Sequence, residues 1–238
     1  YKGGVPSKYG GRLSSVLEVF QKDGNKNQFA GTGGIGTLSS RLMVEGPLGS
    51  GKGSYIIAGR ASYANIFLAL AKQKSRVSFY DLNTKVNYKL NSNNQLYLSG
   101  YFGQDGFSLA NSFSNPYGNI AVNLRWNHLF SKRIFSNLSL IYSAYNYGFD
   151  LEFVDLSWKS SIKNYNVKYD VNHTINTNMH LNYGVNALWY NFDPGKLSPL
   201  NDKSTITPQQ LIKKYAIEPA FYIDAKNNIG KKLIISYG

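Results

Sequence analysis

Eight charged residues hold most of this chain's scope for chemistry: Arg60, Asp81, Lys85, Arg125, Lys168, Asp170, Glu218 and Asp224. Cations and carboxylates in such a set can grip a charged ligand, pair with one another, or hold a further segment of chain by ion pairs. Other motifs with chemical spacing are weaker. Gly31 to Gly36 has the glycine spacing of a dinucleotide-binding turn, but that chemistry needs a helix N-terminus at the last glycine, and Thr37 to Val44 reads as a strand. Gly46 to Lys52 lacks the hydroxyl residue that must follow the lysine of a phosphate loop, because Gly53 stands there and Tyr55 to Tyr63 continues as a strand. His173 and His180 flank one turn, and His128 lies apart. No carboxylate joins them at ligand spacing, so no metal site and no cofactor are expected.

The elements that must position the eight charges are short runs of strict alternation. In Phe79 to Leu90, Tyr80, Leu82, Thr84, Val86, Tyr88 and Leu90 share one parity, while Asp81, Asn83, Lys85, Asn87 and Lys89 share the other. A strand sends alternate side chains to opposite faces, so one face is apolar and the other polar. Asn119 to Asn127 and Leu181 to Trp189 repeat the pattern. Arg125 falls on the wet parity of the first.

Length distinguishes a membrane sheet from a soluble sandwich with the same alternation. Several runs reach ten or more residues, whereas strands of globular proteins cluster at about 5–6 and a tilted bilayer-crossing strand needs about 9–11. On the apolar parity, Tyr80 and Tyr88 bracket Leu82, Thr84 and Val86. Their separation along a tilted strand is on the order of 20 Å, close to the height between two aromatic girdles.

Composition agrees. Aromatic residues make up 15% of the chain, with Tyr 19 and Phe 13, and mean hydropathy is −0.32, so no segment reads as a membrane helix. The one continuous apolar run, Ala64 to Ala71, is too short to span and predicts a short helix or turn in a loop. Cysteine is absent, which removes disulfide frameworks and thiolate metal sites. The formal charge of +13 comes from dispersed lysines and arginines rather than one aromatic-rich patch, so no nucleic-acid partner is expected. A basic lumen and contacts with anionic lipid headgroups account for it better.

Eleven strands are predicted, near 27–35, 37–46, 53–63, 78–91, 94–105, 117–131, 133–149, 153–172, 178–192, 213–226 and 231–238. Connections after the second, fourth, sixth, eighth and tenth strands are short and turn-like. Those after the third, fifth and ninth, at 64–77, 106–116 and 192–212, are longer. Short turns at one end and long loops at the other suit an outer-membrane barrel whose first strand runs outward. The links after the first and seventh strands are short and break that rule.

Residues 1–22 fall outside this series: a glycine-rich segment leads into a single predicted strand, Ser14 to Phe20. The run Gly3 to Val19, with Gly3, Gly4, Tyr9, Gly10, Gly11 and Arg12, resembles the end of the plug domain of TonB-dependent outer-membrane receptors of the Bacteroidetes type. Val44-Glu-Gly-Pro-Leu, Phe79 to Tyr88, Leu96 to Gly103 and Leu124 to Phe130 resemble the same family in order. The resemblance implies an all-β fold: an antiparallel transmembrane β-barrel segment, about eleven meander strands of a 22-stranded barrel, preceded by the last plug strand. It assigns 1–22 to the plug and 23–238 to the first half of the barrel, an open curved sheet lying inside a longer protein.

The implied function is uptake of a scarce nutrient (siderophore-bound iron, a glycan, cobalamin or a peptide) across the bacterial outer membrane, without enzymatic activity. The implied partners are outer-membrane lipid, the TonB complex through a segment outside this chain, and a small nutrient ligand. Gly10 and Gly11 would supply turn conformations, and Arg12 would pair with a lumen carboxylate such as Asp81 or Glu218. Two other readings stay open. A smaller passive channel would close at ten or twelve strands with no plug segment, and a soluble glycan-binding module would bury the apolar parity against a second sheet.

Overall fold

In a computed structural model of the chain, residues 5–11, 15–110, 112–202, 204–230 and 232–238 are described. They form one antiparallel sheet. Its strands are β1 (Ala30–Ile35), β2 (Ser39–Leu48), β3 (Gly53–Ser62), β4 (Arg76–Lys89), β5 (Asn94–Leu109) and β6 (Phe113–Ser131). It continues through β7 (Ile134–Leu151), β8 (Leu156–Thr174), β9 (Met179–Pro199), β10 (Gln209–Gln210), β11 (Lys214–Ile229) and β12 (Leu233–Tyr237). Each strand pairs with its sequence neighbour except β10, a two-residue hook on β9, so β11 pairs with β9 directly. Strands β1 and β12 are the two edges of an open sheet.

The turns at one end are built by local chemistry. Gly49, Ser50 and Gly51 all have positive φ between β2 and β3, a left-handed run that glycine tolerates best. Between β4 and β5, the Asn91 side chain accepts the Asn93 backbone N–H at 2.9 Å, and Asn176 accepts those of Asn178 and Met179 at 2.9 and 3.0 Å between β8 and β9. Such asparagine turns replace backbone pairing with a side-chain acceptor. At the other end the predicted helix forms as α1 (Ala64–Leu70), and Asn65 tethers it to β4 by accepting the Val77 N–H at 2.8 Å.

Two predicted loops are strands instead. Residues 106–109 and 113–116 are strand, because β5 runs to Leu109 and β6 starts at Phe113, paired Leu109 to Phe113. Likewise β9 runs to Pro199 rather than ending near 192. Glycine, asparagine and proline made these stretches look loop-like, yet neighbouring strands supply the hydrogen-bond partners that keep them extended. A third difference concerns the predicted strand at 14–20: residues 15–20 form no strand of the sheet, and Ser14 lies outside the described residues. They lie against a face of the sheet whose backbone groups are already paired laterally, which leaves no edge to join.

The two faces separate as the alternation demands. One register row across β4 to β9 reads Val86, Leu98, Leu124, Leu140, Val167 and Ala187, all on the apolar parity. The next polar row reads Lys85, Ser99, Asn123, Ile141, Asn166, Leu188 and Glu218. The N-terminal segment lies on the polar face, which is therefore the inner one. The apolar outer face is uncovered: Val167 is 50%, Val185 55% and Phe221 87% exposed. Aromatic rings line its upper margin, with Tyr142 to Tyr165 at 5.1 Å and Tyr165 to Trp189 at 6.3 Å between centroids.

Candidate functional site

The inner face and the segment laid across it form the candidate site. From its start the segment is tied to distant strands: the Ser7 backbone N–H donates to Asp224 Oδ1 at 3.2 Å, and the Ser7 hydroxyl donates to the same carboxylate. Gly10 closes a 3-10 turn over Ser7–Tyr9, its N–H donating to the Ser7 carbonyl at 2.9 Å, and Gly11 has φ +74°, where a side chain is strained. The Tyr9 ring lies between Lys8, 4.5 Å from its centroid, and the wall residue Lys168, at 5.5 Å.

Lys8 pairs with Glu18 at 3.5 Å within the segment. The Tyr9 hydroxyl beside it, followed by Lys8, holds the Glu18 carboxyl below its ordinary range against the opposing effect of burial. Burial and then Glu18 push the Tyr9 phenol up. Burial pulls Lys8 down, but Tyr9 and Glu18 outweigh it and raise the ammonium.

Farther along, Lys85 Nζ donates to the Gln21 carbonyl at 2.6 Å and pairs with Asp23 at 2.8 Å. Gln21 Nε2 donates to Asn83 Oδ1 at 3.1 Å. Gly24 is buried so close to β3 that an added Cβ would collide with the Tyr55 carbonyl. Beyond it, the Asn25 N–H donates to Glu45 Oε2 at 3.2 Å, and Lys22 lies 3.4 Å from the same carboxylate. A cleft of about 550 Å³ lies between this segment and the wall, lined by Phe20, Gln21, Lys85, Tyr97, Asn123 and Arg125.

The eight charges fall into separate groups. Lys85 and Arg125 share the cleft; Arg125 stacks on Tyr97 at 4.3 Å, and its buried Nε meets no acceptor among the described residues. Lys168 and Asp170 are 3.6 Å apart on β8, and Asp170 accepts the Tyr222 hydroxyl at 2.6 Å. Asp224 stands near them and holds Ser7. Arg60 pairs with Asp81 at 2.6 Å, and Glu218 accepts the Tyr190 hydroxyl at 3.1 Å. Both carboxylates proposed for Arg12 are thus engaged by the wall itself, while Arg12, Gly3 and Gly4 lie outside the described residues. Lys85 and Glu218, although in one row, are six strand spacings apart, roughly 29 Å along the sheet.

The histidines do not converge. His180 Nδ1 lies 3.1 Å from the Thr174 hydroxyl, and His173 faces the Tyr183 ring at 6.5 Å.

Several contributors were not singled out in the sequence: Ser7, Gln21, Asp23, Gly24, Tyr97, Gly184 and Tyr222. Tyr222 spans β9 to reach Asp170 because Gly184 stands between them in register. A Cβ at Gly184 would meet the Tyr169 carbonyl and the Tyr222 ring. The available signal was parity, since Tyr97 and Tyr222 sit on the wet side of their strands.

No protein-family model and no curated protein matches the sequence. Solved structures do match. The copper transporter OprC superposes with a TM-score of 0.65 at 11% identity, over 89% of this chain and 36% of that one. The chain has its fold. The siderophore receptor PirA from Pseudomonas aeruginosa matches at TM-score 0.57 and 14% identity, over 90% of this chain and 34% of its own. BauA, the ferric preacinetobactin receptor from Acinetobacter baumannii, matches at 0.59 and 9%, over 83% and 38%. The chain therefore spans between 34 and 39% of the length of the receptors it resembles.

Proposed function

We propose that the chain is part of a TonB-dependent outer-membrane receptor that imports a scarce nutrient through a plugged barrel. The carrying observation is the pairing of two opposite surfaces: a polar inner face holding an N-terminal segment by ion pairs, and an apolar outer face left uncovered. An exposed apolar band of this breadth is unstable in water and stable against lipid hydrocarbon. A passive channel has no use for the inner segment, and a soluble module would cover the apolar parity. The fold shared with copper and siderophore receptors supports the same reading.

In this reading residues 1–22 are the end of the plug and 23–238 the first half of the barrel wall. Import requires the plug to yield when TonB pulls on it, so its ties to the wall must be individually weak and polar. Lys85 to the Gln21 carbonyl, Lys168 to Tyr9 and Asp224 to Ser7 are such ties. The ligand is a siderophore-bound metal, glycan, cobalamin or peptide. Arg125 and Lys85 are the cations placed to meet an anionic one, whereas Arg60, Asp81 and Glu218 organise the wall.

Growth of a deletion strain on single iron or glycan sources tests the proposal, together with heat-modifiable migration of the membrane-extracted protein. Loss of growth on one source, restored by the gene only in a strain with a working TonB complex, is the expected result. TonB-independent uptake, or migration unaffected by heating, overturns it.

A further inference from the structure

Four lysines gather on the outer face, beyond the apolar band and toward the end that carries α1. Lys159 on β8 stands directly opposite Lys196 on β9, and both are exposed. Like charges directly across a strand pair repel, so this pairing is unfavourable unless an anion lies over it. Lys163 follows four residues along the same face of β8, and Lys213 enters from the segment leading into β11. Asp193 is the carboxylate of the group and is already taken, by Lys213 at 3.3 Å and by the Gln210 amide at 2.9 Å. Among the described residues, Lys159, Lys163 and Lys196 have no carboxylate partner.

The lysines frame a surface hollow. It holds about 540 Å³ and is lined by Lys159, Lys196 and Lys213 with the polar groups of Asn146, Ser161 and Gln210. An irregularity in pairing between Lys159 and Ser161 shapes it, where the register against β9 shifts and brings Lys196 opposite Lys159. Directly along β8 from Lys163 come Tyr165 and Val167, so cationic and apolar surfaces are continuous on one strand.

From this arrangement we infer a binding site for the phosphorylated headgroup of a lipid whose acyl chains lie on the apolar band. The inference rests on the membrane-barrel reading, under which this end faces the external leaflet. Charge complementarity selects a phosphate-bearing group, and the adjoining aromatic margin of Tyr142, Tyr165 and Trp189 selects a lipid over a soluble anion. Lys159, Lys163 and Lys196, three cations without a carboxylate partner among the described residues, suit a headgroup with more than one phosphate.

The test is native mass spectrometry of the detergent-purified protein titrated with diphosphoryl lipid A, its dephosphorylated counterpart, and inorganic phosphate. Retention of the diphosphoryl lipid is expected, undisturbed by millimolar inorganic phosphate. The variant Lys159→Gln/Lys196→Gln should weaken it roughly 30-fold, from two lysines at a membrane surface. Lys159→Arg/Lys196→Arg should restore it, and Lys72→Gln/Lys74→Gln, beside α1, should leave it unchanged.

Equal retention of the dephosphorylated lipid overturns the site, as does equal loss in the Lys72/Lys74 variant or wild-type affinity in the Lys159/Lys196 variant. Displacement by inorganic phosphate would make it a free-anion site and overturn the lipid assignment. Heat-modifiable migration and TonB-dependent uptake report separately on the receptor reading. Their failure alongside lysine-dependent lipid retention counts against transport alone.

Discussion

Replacing Lys85 with methionine keeps a long unbranched side chain and removes its charge, isolating the tie between the inner segment and the wall. The Lys85 side chain is 14% exposed, with the Asp23 carboxylate at 2.8 Å and the Gln21 carbonyl at 2.6 Å. Asp23 is 37% exposed, so solvent screening reduces that ion pair to about 1 kcal/mol. The bond to the Gln21 carbonyl adds about another 1 kcal/mol. A loss of about 2 kcal/mol raises local opening of the segment roughly 30-fold.

Hydrogen–deuterium exchange of residues 19–28 in the bilayer-reconstituted protein reads that opening directly. The Asn25, Asn27 and Gln28 amides are the reporters, because the first donates to Glu45 of β2 and the other two to the Asn25 side chain. Exchange should accelerate there and stay unchanged in β4 and β5. Acceleration below about threefold would refute the assigned energy, and equal acceleration in the strands would mean Lys85 supports the wall instead. A cycle with Asp23→Asn should return a coupling near 1 kcal/mol.

Charging the outer face should cost far more than charging the inner one. Val167→Arg is expected to destabilise the bilayer-inserted protein by about 2–4 kcal/mol, read from urea unfolding in lipid vesicles, while Asn166→Arg costs much less; the reverse order would invert the assignment of faces. Gly184→Ala should lower the unfolding midpoint by the equivalent of about 1–3 kcal/mol, since its Cβ meets the Tyr169 carbonyl and the Tyr222 ring. An unchanged midpoint would show that the Tyr222 to Asp170 bridge does not need that glycine.

The Lys8 to Glu18 contact should hold only within a pH window. Glu18, lowered from 4.5, contributes above that value and is lost as pH falls through its folded pKa; Lys8, raised from 10.5, contributes below that value and is lost as pH rises through its own. A spin label at Val5→Cys should keep constant mobility between these limits and loosen outside them. A change centred near neutrality would exclude this pair as the cause.

Much of the architecture was legible because strand alternation is written residue by residue. Tyr80, Leu82, Thr84 and Val86 against Asp81, Asn83 and Lys85 declared two faces, and Ala64 to Ala71 declared a short helix. Where composition and pairing disagreed, the reading failed: Gly106 to Leu109 and Phe113 to Pro116 look like loop yet pair across β5 and β6. The segment at 15–20 failed oppositely, with strand-forming residues that form no strand of the sheet.

The sequence by itself determined which side chains share a face, because a period of two is a local property of extended backbone. Which of them meet was decided only by register between strands far apart in the chain. Ser7 and Asp224, 217 positions apart, share a hydrogen bond. Asp81 pairs with Arg60 across one strand boundary, and Lys85 and Glu218, in the same row, stand too far apart to interact. Tertiary structure also set Lys159 against Lys196, because backbone pairing fixes lateral position whatever charges it brings together.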